Sequence, residues 1–184
     1  MRETNEREIA FKVSMSINNP TLIHHFLENS AQRFPDKIAL VHEEVRATYQ
    51  QLNSQANQLA RFFIEQGVTS GDRVVLLLEN SLEYVVSYYA VLKAGAVAVP
   101  MNTELKPDGL LPLLHELDAK CLVTARKFER LLRTVDLSKT TINAIVMKSP
   151  KLNLNKNISV FDWDDLVQFE NTPDLNLDIS SSST

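Results

Sequence analysis

A chain of 184 residues that is 44% hydrophobic and 23% charged is long enough for one globular domain and ordinary in composition for one. Its net charge of −4, with 19 basic residues, supplies no basic stripe and sets nucleic-acid binding aside. Apolar runs such as residues 74–78 are too short to span a bilayer, no secretory signal is visible, and the lone Cys121 suits a reducing compartment, so a cytoplasmic protein is expected.

Residues 1–19 read as an N-terminal extension. Within it Ile9, Phe11, Val13, Met15 and Ile17 alternate with small or polar residues, a period of two that suits an edge strand; an irregular arm fits equally well. Residues 20–170 then alternate helices and strands. Asn19-Pro20-Thr21 opens a helix with an apolar face of Leu22, Phe26, Leu27 and Ala31, ended by Pro35. Residues 38–41 and 45–48 flank Glu43-Glu44 as a hairpin. Thr48 and Gln51 have capping-box spacing for a helix whose buried face is Leu52, Ala56, Leu59, Ala60 and Phe63, and Gly67 suits its left-handed end.

The apolar run at residues 74–78 predicts a strand buried on both faces of a parallel sheet. Asn80-Ser81 caps the next helix, whose inward residues are predicted as Val85, Tyr89 and Leu92, with Lys93 and Gly95 closing it. Residues 96–99 form a strand stopped by Pro100. The pattern repeats with helices at 107–117 and 127–134, strands at 121–124, 142–147 and 158–161, and a helix capped by Asp162 running through Phe169. A largely parallel α/β sheet flanked by helices follows from this alternation. Residues 171–184 are polar and Ser-rich, a linker by composition.

Ligands of open α/β sheets bind at the carboxyl ends of strands. Here those ends are Glu79-Asn80-Ser81, Pro100-Met101-Asn102 and Thr124-Ala125. They suit a pocket rim, but capping and strand termination already account for them, and the structural reading is preferred. With Gly67, Gly71, Gly95 and Gly109 as its only glycines, the chain contains neither G-x-G-x-x-G nor a G-x-x-x-x-G-K-[ST] loop. His24 and His25 are adjacent and point about a quarter-turn apart, and His42 and His115 lack sequence partners, so no metal site is argued. Cys121, in an apolar strand, reads as an inert thiol. Trp163 reads as a packing residue. No catalytic, cofactor-binding or metal residue is assigned within the chain.

Several segments resemble the AMP-forming adenylating enzymes, the superfamily of acyl-CoA synthetases and peptide-synthetase adenylation domains. They are Phe34-Pro35-Asp36-Lys37-Ile38-Ala39-Leu40, Thr48-Tyr49-Gln50-Gln51-Leu52-Asn53, Ala56-Asn57-Gln58-Leu59-Ala60, Gly71-Asp72-Arg73-Val74 and Asn80-Ser81. Most specific is Val91-Leu92-Lys93-Ala94-Gly95-Ala96-Val97-Ala98-Val99-Pro100, followed by Asn102. The resemblance covers residues 20 to 135 and marks the chain as similar to the N-terminal part of such an enzyme.

The resemblance implies an enzyme that uses ATP and Mg²⁺ to activate a carboxylic acid as acyl-AMP and passes it to the thiol of coenzyme A or of a carrier protein's phosphopantetheine. None of the family's phosphate, ribose or catalytic-lysine motifs maps onto this chain, so residues 1–184 alone are expected to be inactive. Truncation is also expected to expose apolar surface and favour self-association. The leading expectation is an acyl-CoA synthetase, suggested by Ala98-Val99-Pro100-Met101-Asn102. The alternatives are an adenylation domain loading an amino or aryl acid, and a non-catalytic α/β scaffold. Two departures are local: Glu44 stands where the family often has glycine, and Pro112 should bend or break its helix.

Overall fold

The computed structural model describes residues 22–152, 157–168 and 172–175. The alternating segment at residues 9–17, the cap at Asn19-Pro20-Thr21 and Phe169 lie outside them. The elements are α1 (Ile23–Arg33), β1 (Ile38–His42), β2 (Val45–Thr48), α2 (Tyr49–Glu65), β3 (Arg73–Leu77), α3 (Leu82–Lys93) and β4 (Val97–Pro100). There follow α4 (Pro107–Leu117), β5 (Cys121–Thr124), α5 (Glu129–Leu132), β6 (Ala144–Met147), β7 (Ser159–Asp162) and α6 (Trp163–Leu166). Strands β3 to β7 form one five-stranded sheet in the order β4-β3-β5-β6-β7, every pair parallel. The expected parallel α/β architecture is thus present.

Local chemistry explains most boundaries. Thr48 Oγ1 accepts the Gln51 N–H at 3.2 Å while Gln51 Oε1 accepts the Thr48 N–H at 2.9 Å, a complete capping box that starts α2. The helix ends at Gln66 and Gly67 follows at φ 82°, a conformation only glycine adopts without strain. Ser81 Oγ accepts the Tyr84 N–H at 3.1 Å and starts α3. Asp162 Oδ1 accepts the Asp164 N–H at 3.1 Å and starts α6.

The sheet separates two cores. Val74, Leu76, Cys121, Val123, Ala144 and Val146 point to the side covered by α2 and α3. Val75, Leu77, Leu122 and Ile145 point to the side covered by α4 and α5. Residues 74–78 are 0–6% exposed, so both faces of β3 are dry. Each fully buried Val or Leu stabilises the fold by roughly 1.5–3 kcal/mol. Among the described residues no helix is long and apolar enough to cross a membrane.

Several expectations are corrected. On α1 the buried residues are His24, Leu27 and Ala31, whereas Phe26 is 58% exposed. The helix is rotated so that His24 faces a polar node, described below, and Phe26 faces out. On α3 the buried set is Val86, Ser87, Ala90, Val91 and Lys93, not Val85, Tyr89 and Leu92, which are only partly buried. The small Ser87 and Ala90 let α3 close on α2, its most extensive helical neighbour.

Pro112 does not break α4, which runs continuously from Pro107 to Leu117. Leu110 and Leu114, both 0% exposed, straddle the proline and fasten the helix to the sheet. The helix expected at residues 127–134 is a 3₁₀ turn (Arg126–Phe128) followed by the single turn α5, and α6 is likewise one turn. The β1–β2 turn forms without glycine by placing Glu43 at φ 50°.

Candidate functional site at the strand carboxyl ends

The strand order creates a switch point. From β3 the chain crosses by α3 to β4 on one side, then returns by α4 to β5 on the other side. The carboxyl ends of β3 and β5 are therefore neighbours whose outgoing connections diverge, the place where open α/β sheets leave a crevice. A cleft of about 280 Å³ lies there. Its walls come from Glu79, Asn80 and Ser81 after β3, Thr124 and Ala125 at the end of β5, and Lys148 after β6. Trp163 and the hairpin residues His42 and Glu43 close the other side.

A shallower recess of about 570 Å³ adjoins it through Leu78, Glu79 and Asn80, and extends to Pro100, Met101 and Asn102. All three strand ends named from sequence thus line one or other of two cavities that share Leu78, Glu79 and Asn80. Their structural roles hold at the same time. Ser81 caps α3, Pro100 is the last residue of β4 opposite Leu76, and Asn102 Oδ1 accepts the Glu104 N–H at 2.9 Å. Thr124 Oγ1 donates to the Leu77 carbonyl at 3.0 Å and ties β5 to β3 at the cleft floor.

Charge around the cleft is largely self-neutralised. Lys127 pairs with Glu79, and Lys148 lies 3.5 Å from Glu83 and 3.6 Å from Asp164. Arg126 forms no ion pair among the described residues and is the cation left facing the cleft. These residues do not fit a nucleoside triphosphate. The lining contains no glycine to bring backbone N–H groups onto phosphates. The volume falls just below the roughly 300–1,000 Å³ of small-molecule sites. Glu83 in the first turn of α3 also occupies the helix end that would attract an anion.

Cys121 offers no nucleophile. It is 0% exposed, and burial, with the Asp72 charge as a lesser cause, pushes its thiol up to about 12.

A second polar cluster lies on the α2/α3 side. His24 and His25 meet edge to face with ring centroids 4.6 Å apart, closer than a quarter-turn separation suggested. Together with Glu28 they bring one ligand atom each within 4.8 Å of one another. Glu28, however, is already the partner of the Lys93 ammonium. Lys93 is 1% exposed and also lies 3.3 Å from Asp174. Burial works against charge on Asp174, yet hydrogen bonds from Asn53 and Asn57 and the Lys93 ammonium hold its carboxyl below the usual carboxylate range. A second polar recess, about 380 Å³, runs beside this node between α1 and α2.

Sequence reading did not find this node or the His42, Arg126, Lys148 and Trp163 walls. The spacing of Asn53, Asn57 and Arg61 was the available signal for the node. The cleft walls come together only through topology.

Comparison with known proteins gives a consistent result. The profile of a family described as AMP-binding enzyme matches residues 27–177. Tyrocidine synthase 1 of Brevibacillus parabrevis is 36% identical over 134 residues, which are 73% of this chain and 12% of that protein. The anthranilate CoA ligase AuaEII, solved with anthranoyl-AMP, superposes with a TM-score of 0.70 at 27% identity over 80% of this chain and 28% of that one. The Mycobacterium tuberculosis fatty acyl CoA synthetase superposes with a TM-score of 0.64 at 30% identity, covering 68% of this chain and 26% of that one. The chain therefore spans less than a third of each of these relatives.

Proposed function

This chain belongs to the AMP-binding enzyme family, and from that premise we propose that it supplies the N-terminal α/β portion of an ATP-dependent, AMP-forming carboxylic acid ligase. A carboxylate oxygen of the substrate attacks the α-phosphorus of ATP, the bond to pyrophosphate breaks, and an acyl-adenylate results. A thiol sulfur then attacks the acyl carbon and AMP leaves. The observation that carries this reading is the family match across residues 27–177, on a sheet whose order places a crevice at the β3/β5 switch point.

Residues 1–184 alone do not catalyse the reaction in this proposal. A glycine-free cleft with paired lysines supports that reading, and the groups that hold ATP and Mg²⁺ are proposed to lie outside these residues. The exposed Ile23, Phe26, Val41 and Val45 support self-association of the isolated piece. A single buried cysteine supports a reducing, cytoplasmic setting.

Two acceptor thiols are consistent with the family. The segment Ala98-Val99-Pro100-Met101-Asn102 favours coenzyme A, as does the likeness to two CoA ligases. The 36% identity with tyrocidine synthase 1, of which this chain spans only 12%, favours the second reading, an adenylation domain that loads a carrier protein within a large synthase. Incubating the longer protein with ATP, Mg²⁺ and a panel of fatty, aryl and amino acids should release AMP with one class of acid. Adding coenzyme A or a phosphopantetheinylated carrier then identifies the thioester formed. Acid-independent AMP release, or none with any acid, would defeat both readings.

A further inference from the structure

Helix α2 carries a row that breaks its apolar pattern. Asn53, Asn57 and Arg61 recur at i, i+4 and i+8, on one side of the helix. Asn53 and Asn57 are 6% and 0% exposed. Amides at that depth need hydrogen-bond partners, and residues 172–174 accept from both Nδ2 groups, while the two Oδ1 atoms have no partner among the described residues.

Half of the contacts are to backbone. Asn57 Nδ2 donates to the Thr172 carbonyl at 2.8 Å, and Arg61 donates to the Pro173 carbonyl at 2.9 Å. The Thr172 N–H donates to Ser54 Oγ at 2.7 Å. Any sequence could accept such contacts. One side chain is read specifically: Asp174 Oδ1 accepts from Asn53 at 2.8 Å and from Asn57 at 2.9 Å, and it faces Lys93 Nζ at 3.3 Å.

Lys93 makes this arrangement selective for a charge. It reaches from the last turn of α3, is 1% exposed, and is held on its other side by Glu28 of α1. A neutral residue at 174 would leave the ammonium with half of its counter-charge in a desolvated place. Leu175, next in the chain, packs onto the core beneath.

We propose that Lys93 and the polar row of α2 form a latch that fixes residues 172–175 across the helix, with Asp174 as its sequence-specific part and Lys93 as a positioning residue. The latch joins four segments far apart in sequence and sets the point from which the chain continues beyond residue 175. Its catalytic consequence rests on the adenylating reading: whatever follows residue 175 starts from a fixed position relative to the sheet.

Hydrogen exchange by mass spectrometry on the full-length protein tests the latch directly. Asp174→Asn keeps the shape and the amide contacts and removes the charge. It should speed exchange of the Thr172 N–H, the donor to Ser54 Oγ, at least tenfold while the α2 and α3 core is unchanged. Lys93→Met should do the same, and Glu28→Gln should leave the strap protected. Unchanged exchange in Asp174→Asn, or equal acceleration throughout the domain, overturns the latch; Asp174→Asn decides the matter even if Lys93→Met does not fold. In ATP–pyrophosphate exchange the same variant should lower kcat at least fivefold with the KM for the acid unchanged. A loss confined to KM would overturn the positioning role. An inactive parent would defeat the adenylating reading, leaving the exchange data to decide the latch.

Discussion

His24 makes the stability of this domain sensitive to mild acid. Burial lowers its imidazole pKa, with help from His25 and Lys93 and against a weaker pull from Asp174, so it drops from an ordinary 6.5 to about 4. Below pH 6.5 the unfolded chain takes up a proton that the folded chain refuses. Stability therefore falls as the pH drops from 6.5 towards 4 and levels off below that. Between pH 7.5 and pH 4.5 this single residue should cost on the order of 2 kcal/mol, after solvent screening is allowed for.

His24→Gln removes the titration while keeping a polar side chain at the node. Urea unfolding of both proteins at pH 7.5 and 4.5 isolates the contribution as a difference of differences, so carboxylates that titrate in both cancel. The pH-dependent loss should shrink by on the order of 2 kcal/mol in the variant. Equal losses in the two proteins would refute the burial argument.

Three further outcomes follow from local chemistry. Glu43→Gly should raise stability by about 0.5–1 kcal/mol, because Glu43 holds φ 50° in a turn that glycine occupies without strain; a loss on thermal unfolding would contradict this. Pro112→Ala restores a helical N–H inside α4 and should stabilise by about 1–3 kcal/mol; unchanged urea unfolding would mean that the helix has already absorbed the proline. Cys121 should resist a maleimide at pH 8 in the folded protein and react promptly in denaturant, since burial holds its thiol near 12; fast labelling of the folded form would contradict that.

Much of the fold was legible because its signals are local. The unbroken apolar run of β3 announces a strand buried on both faces. Thr48 with Gln51, and Gly67 after α2, announce helix ends through contacts three or four residues long. The phase of α3 was not legible, because LEYVVSYYAVLK is apolar nearly all round and gives periodicity little to choose from. The single turns α5 and α6 are too short for any helical period to register.

Lys93 shows the deeper limit. At the end of a helix a lysine is readily explained by the dipole, and nothing nearby requires that it be buried. Its counter-charges are Glu28 and Asp174, 65 and 81 residues away. The cleft has the same origin: the sheet order brings Arg126, Lys148 and Trp163 to one end, and the separate β1–β2 hairpin adds His42. The strand ends themselves could be named beforehand, since a parallel sheet fixes where its crevice must open.

The most direct test compares carboxylate-dependent ATP–pyrophosphate exchange in the longer protein and in purified residues 1–184. Exchange in the longer protein with a matching acid, and none in residues 1–184 with any acid, is the predicted result. Exchange by residues 1–184, or its absence from the longer protein across the whole panel of acids, would contradict it.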